Sequence, residues 1–270
     1  MEKWKWLIWL LAGVLVVFYS RSLTKQDEAI ATQNERKTLD QSEESIYHHL
    51  LAIQKQYGNV KLAVTGSSVT KGSGASHPSK SWRGLLESHL RLSDPSLRNV
   101  SIANHGHSGY TSVRILEKAV TEPIIAYQPD VLFIETSVIN NHNKNVPMKE
   151  TLDSLKQLHD YYQAQLPTTY LVFLSPNPCV ENKFGPKINE LGYSFEDYIE
   201  ETSLFLMNQG YVYFNSHAHM KQYMEKHQIA ISSTLKDGIH PNDKGYQIWY
   251  QTLLPFIYEY REIDKAKIEN

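Results

Sequence analysis

Asp237-Gly238-Ile239-His240-Pro241 places a carboxylate three residues before an imidazole, inside a Gly/Pro turn that leads into an apolar segment. That spacing lets one loop supply both a base and the acid that orients it. Near the other end of the chain, Val64-Thr65-Gly66-Ser67-Ser68-Val69-Thr70-Lys71-Gly72 offers a hydroxyl on a tight turn. A serine at a strand-to-helix turn presents its hydroxyl and its own N–H to a common point, which suits attack on a carbonyl. The alternative reading of Ser67, Ser68 and Thr70 is a helix cap, and that of Asp237 a turn that bonds its own backbone. An α/β-hydrolase elbow of the form G-x-S-x-G does not fit, because Thr70 stands where the second glycine belongs.

The elements that must bring these residues together alternate in kind. Strand-like runs occur at 61–65, 100–103, 131–135, 170–174 and 211–214, and helical stretches at 82–92, 112–126, 148–165 and 195–209. A helix over 45–57 precedes them, with Ile46, Leu50, Ile53 and Tyr57 on one face and Gly58 at its end. A last helix runs from 243 to about 260. Apolar strands alternating with amphipathic helices predict a three-layer α/β/α domain with a mostly parallel, five-stranded sheet. Such a sheet gathers reactive groups in the loops at the carboxyl ends of its strands. Ser68, Gly109, Asn140 and Asn177 all fall just beyond such ends.

Composition narrows the setting. The chain has 270 residues, 41% hydrophobic and 21% charged, with a formal net charge of −2 and no basic stripe, which argues against a nucleic-acid partner. Its single cysteine, Cys179, rules out an intrachain disulfide. Residues 4–19 are nearly all apolar, flanked by Lys3 and Lys5 before and Arg21 and Lys25 after, with tryptophans at one end and Phe18-Tyr19 at the other. This predicts a membrane anchor over 1–21, touching the bilayer through 4–20, a polar spacer over 22–44 and a domain over 45–270. A cleaved signal peptide is the competing reading, but no small-x-small site follows. The expected location is the cell membrane, single-pass, with the domain on the extracytoplasmic side.

The motifs together resemble the SGNH (GDSL-type) hydrolase family. Gly66-Ser67-Ser68-Val69-Thr70-Lys71-Gly72 is similar to the family's G-D-S-x-x-x-G, with Ser67 in place of aspartate. His107-Ser108-Gly109-Tyr110-Thr111 is similar to its S-G-x-T block, and Asp237, His240 and Pro241 to its D-x-x-H-P. The third block, strand-Glu then G-x-N-D, is loose here: Ile134-Glu135-Thr136-Ser137-Val138-Ile139-Asn140-Asn141 lacks the glycine, ends in Asn141 and carries its asparagine one place late. The resemblance covers residues 61–256 and implies a flavodoxin-like fold. It implies Ser68 as nucleophile, His240 as base and Asp237 as its orienter. It further implies an oxyanion hole from the N–H groups of Ser68 and Gly109 and the amide of Asn140, with Asn141 as the alternative. No cofactor is implied. The activity implied is serine esterase chemistry on a small-molecule ester or an ester of an envelope glycan or lipid, such as an O-acetylated polysaccharide. The alternatives are an O-acyltransferase with the same triad and a non-catalytic envelope-binding domain.

Two histidine pairs stand outside this scheme. His105 with His107, and His217 with His219, alternate in what read as loops, so each pair would share a face and form half of a zinc site. No acidic or cysteine partner is placed with either, and no metal is assigned. Tyr110, Tyr193, Tyr198 and Tyr211 are candidates for a substrate rim, or simple amphipathic packing.

Overall fold

The computed structural model describes residues 45–180 and 187–260. The expected anchor and spacer lie outside the described residues, and among the described residues no helix is long and apolar enough to cross a membrane.

Five strands form one sheet: β1 (Lys61–Gly66), β2 (Ser101–Gly106), β3 (Val131–Glu135), β4 (Tyr170–Leu174) and β5 (Tyr213–Phe214). Every pairing is parallel, and the order is β2-β1-β3-β4-β5. This is the flavodoxin-like arrangement, whose strand order reverses between β1 and β3 and opens a crevice above their carboxyl ends. Both faces of the sheet are covered, so β3 reads as an unbroken buried run, Val131 to Glu135, as a central parallel strand should.

Alternation along the strands divides the core in two. Ala63, Leu132, Ile134, Leu171 and Phe173 point to one face, where they pack with Val120 and Ile124 of α4 (Lys118–Tyr127), Leu155, Leu158 and Tyr162 of α6 (Met148–Gln165), and Leu206 of α7 (Phe195–Asn208). On the other face Phe133 meets Trp82 edge-on, and Trp82 stacks on Trp249 with ring centroids 5.6 Å apart. Those tryptophans come from α3 (Trp82–Ser93) and α9 (Asp243–Tyr258); α1 (Ile46–Tyr57) and α8 (Ser216–Lys226) pack beside α9. Two short helices lie at the carboxyl rim: α2 (Ser68–Lys71) and α5 (Val138–Asn143).

Strands β3 and β4 and helix α6 have the bounds their periodicity predicts. The helix expected over 112–126 is split into a 3₁₀ turn, Arg114–Leu116, and α4. Its first residues bond elsewhere: the Ser112 N–H goes to Asn141 Oδ1 at 2.9 Å and the Arg114 N–H to Thr111 Oγ1 at 3.2 Å. His217 and His219, read from sequence as lying in a loop, belong to helix α8, capped by Asn215 Oδ1 accepting from the Ala218 N–H at 3.0 Å.

Candidate active site

Strand β1 ends at Gly66, and the chain turns through Ser67 into α2, with Ser68 as its first residue. An N–H at that position has no intrahelical acceptor and is available to a ligand. The turn requires glycine at 66: a Cβ there would lie 2.6 Å from Thr70 Oγ1 and 2.7 Å from both Glu135 Cβ and Oε2. Gly72, at φ +96°, ends the helix and returns its N–H to Ser68 O at 3.1 Å. Ser67 occupies the N-cap position without a side-chain cap bond, so capping is not what this serine pair does.

His240 arrives from 172 residues away, and its Nε2 lies 2.9 Å from Ser68 Oγ. Its Nδ1 lies 2.7 Å from Asp237 Oδ2, while Asp237 Oδ1 accepts from the N–H groups of Ile239 at 3.0 Å and His240 at 2.9 Å. Partial burial raises the Asp237 pKa, but the imidazole and the two main-chain donors outweigh it and hold this carboxyl below its usual range. An ionised carboxylate only accepts, so Nδ1 carries the proton and the Nε2 lone pair faces Ser68.

Neighbouring segments hold this loop in register. The Gly238 carbonyl accepts from the Val180 N–H at 2.8 Å, and buried Asn177 Nδ2 donates to Ile239 O at 2.9 Å. From the serine side, Ser76 donates to Asp243 through its N–H at 2.8 Å and its hydroxyl at 2.6 Å. Beneath both, Tyr246 Oη donates to the carbonyls of Val69 at 3.1 Å and Ser73 at 2.8 Å, so α9 carries the loop of the base and the floor of the serine turn together.

Gly109 is third in a reverse turn closed by Tyr110 N–H to His107 O at 3.3 Å, and its φ of +75° suits glycine. Lys144 Nζ donates to the Gly109 carbonyl at 2.6 Å. Asn140, in α5, donates one amide hydrogen to Tyr110 O at 2.8 Å, which lays its side chain against this turn and leaves a second hydrogen. Asn141 is different. Its Nδ2 donates to Ser112 Oγ at 2.6 Å and Thr151 Oγ1 at 2.9 Å, and its Oδ1 accepts from the Ser112 N–H, all fully buried. Both amide hydrogens of Asn141 are used inside the protein.

Sequence reasoning assigned no role to Glu135. Fully buried at the end of β3, it accepts from the N–H groups of Ser67 and Ser137, each at 2.7 Å. Burial raises its pKa, opposed by the hydrogen bonds from Ser67, Ser137 and Thr70. The available signal was a carboxylate closing an otherwise apolar strand.

One of the two histidine pairs separates. His217 and His219 lie in α8, where residues two apart face different ways and cannot share a metal, contrary to the extended loop expected. His217 is buried beside Glu196, with Nε2 3.3 Å from Oε1, and His219 stacks on Phe214. His107 stacks on Tyr110 at 4.8 Å, and Arg114 covers Tyr110 at 3.8 Å. Among the described residues no group of three His, Cys, Asp or Glu is placed to hold a metal ion. Tyr198 is buried and donates to Val146 O at 2.5 Å, and Tyr211 stacks on His159 with centroids 3.7 Å apart, so both serve packing.

A parallel α/β/α sheet with a Ser–His–Asp relay at its switch point is the architecture of a serine hydrolase. The profile of the GDSL-like lipase/acylhydrolase family matches residues 64–248, and the chain belongs to that family of enzymes acting on ester bonds. Solved structures share the fold at low identity. An acetylxylan esterase from Geobacillus stearothermophilus, solved as a catalytic mutant, is 17% identical with a TM-score of 0.58, covering 74% of this chain and 94% of its own. A putative GDSL-like lipase from Parabacteroides merdae is 17% identical with a TM-score of 0.57, covering 73% and 95%. A two-domain esterase active on acetylated mannans is 16% identical with a TM-score of 0.59, covering 85% of this chain and 56% of that one. No curated protein matches the chain.

Proposed function

We propose that the protein is a membrane-anchored serine esterase that removes acyl groups, acetyl foremost, from a glycan of the cell envelope. The observation that carries the reading is the unbroken relay from Ser68 Oγ to His240 Nε2 at 2.9 Å and from Nδ1 to Asp237 Oδ2 at 2.7 Å. Ser68 Oγ attacks the ester carbonyl as its proton passes to His240 Nε2, and Asp237 stabilises the imidazolium. The developing oxyanion is received by the N–H groups of Ser68 and Gly109 and the remaining Asn140 hydrogen. Collapse breaks the C–O bond, and the leaving alkoxide takes the proton from His240. Water then attacks the acyl-Ser68 ester, giving its proton to His240, and the carboxylic acid leaves as Ser68 recovers its hydrogen.

Two observations support the substrate class. The structural relatives include esterases acting on acetylated xylan and mannan. Residues 4–19 have the apolar run and flanking cations of an anchor, which would set the domain at the outer membrane surface. The test uses the full chain in detergent. Wild type is expected to hydrolyse 4-nitrophenyl acetate faster than longer acyl esters and to release acetate from an O-acetylated glycan, with Ser68→Ala inactive on both. Wild-type turnover by Ser68→Ala would overturn the assignment. Acetate appearing on an added glycan, rather than free in solution, would make the enzyme a transferase.

A further inference from the structure

We propose that Glu135 is a positioning residue: its buried carboxylate is a strut that sets the spacing between the turn carrying Ser68 and the turn carrying Asn140. The inference rests on the esterase reading above and adds a residue to it.

The geometry is specific. Glu135 Oε2 accepts from the Ser67 N–H at 2.7 Å and from Thr70 Oγ1 at 3.2 Å, so it holds the residue before the nucleophile and the helix after it. Its Oε1 accepts from the Ser137 N–H at 2.7 Å. Ser137 is the N-cap of α5 at φ +58°, a conformation that residues other than glycine seldom adopt, and its carbonyl accepts from the Asn140 N–H at 2.9 Å. One carboxylate therefore spans the two loops that supply two of the three oxyanion donors. Gly66 leaves room for it, since any Cβ there would strike Glu135. In either protonation state each oxygen keeps a lone pair for a main-chain N–H, whereas a glutamine would turn its NH₂ toward one of them.

The test compares wild type, Ser68→Ala and Glu135→Gln as full-length protein in detergent. If wild type turns over and Ser68→Ala does not, the esterase reading stands, and Glu135→Gln is then read against it. The expected result is a kcat lower by about 10- to 100-fold with KM within about twofold, because the donors act on the transition state. Affinity for phenylboronic acid, which forms a tetrahedral adduct on the serine, should fall by the same factor. A kcat within about twofold of wild type, or unchanged boronate affinity, overturns the strut. Amide hydrogen exchange reads it without turnover: Glu135→Gln keeps one acceptor oxygen, so it should lose protection in at least one of 66–71 and 137–143, and wild-type protection in both overturns it. If Glu135→Gln does not fold, Thr70→Val removes one donor to Oε2 at nearly constant volume. It should lower kcat by about two- to fivefold, and an unchanged kcat overturns the proposal.

Discussion

Asp237 holds His240 twice: one carboxylate oxygen takes the imidazole Nδ1 at 2.7 Å, and the other takes the main-chain N–H of the same residue at 2.9 Å. The acid thus sets both the orientation of the ring and the turn that carries it. Asp237→Asn can still accept from the backbone, but its NH₂ then meets Nδ1 and forces the proton onto Nε2, facing Ser68. We expect kcat to fall by about 10²- to 10⁴-fold with KM little changed, measured on 4-nitrophenyl acetate. The same bonds link Asp237 to stability. Its folded pKa lies below the ordinary 3.8, so its contribution is complete above that value and is lost as pH falls through the folded one. Denaturant midpoints below pH 4 should converge for wild type and Asp237→Asn.

Adjacent asparagines should fail in opposite ways. Asn140→Ala removes a donor with one hydrogen not used inside the protein, so kcat should fall by about 10²- to 10³-fold, while stability falls by only about 1 kcal/mol through the lost bond to Tyr110 O. Asn141→Ala strands the buried Ser112 N–H and the Thr151 hydroxyl and takes one of two partners from the Ser112 hydroxyl, which keeps Ser154 Oγ. It should cost about 2–4 kcal/mol of stability, seen in urea unfolding. A reversal of the two phenotypes would give the amide role to Asn141.

Much of this was legible before any coordinates. The strands at 131–135 and 170–174 are apolar runs, and the two end motifs, through their resemblance to a known family, pointed to Ser68, Asp237 and His240, whose turn residues alone also fit a helix cap and a self-bonded turn. What stayed hidden depends on partners far along the chain. Choosing Asn140 over Asn141 needs Ser112 and Thr151, and the weight of Glu135 needs Ser67 and Ser137 across the sheet. Helix α8 escaped because its two histidines two apart suggested an extended loop, whereas the Asn215 cap and the packing of Met220 and Met224 make it helical.

The approach of the loops that carry Ser68 and His240 depends on a missing side chain. A Cβ at Gly74 would lie 2.3 Å from the Pro241 carbonyl and 3.0 Å from His240 Cβ, at a φ of +97°. Both contacts fall on the segment that delivers the imidazole, and one is to backbone, which cannot swing aside. Gly74→Ala should therefore cost at least about 2 kcal/mol in urea unfolding, by strain and by overpacking. It should also lower kcat, because relief comes most easily by moving His240 away from Ser68. A variant with wild-type kcat would mean that the loop yields elsewhere.

Far from the site, His49 ties stability to mild acid. Its ring is 3% exposed, packed against Tyr170 with centroids 5.6 Å apart, and burial lowers its pKa from 6.5 to about 4. The unfolded chain therefore binds a proton between those values that the folded protein refuses, so stability is full at neutral pH and declines as pH falls through 6.5 toward 4. From pH 7 to pH 5 the loss from this one residue is about 2 kcal/mol. Replacing the ring by His49→Phe keeps an aromatic face for Tyr170 and removes the proton site. The urea midpoint of wild type should drop over that interval by more than that of the variant, and equal drops would show that His49 titrates alike in both states.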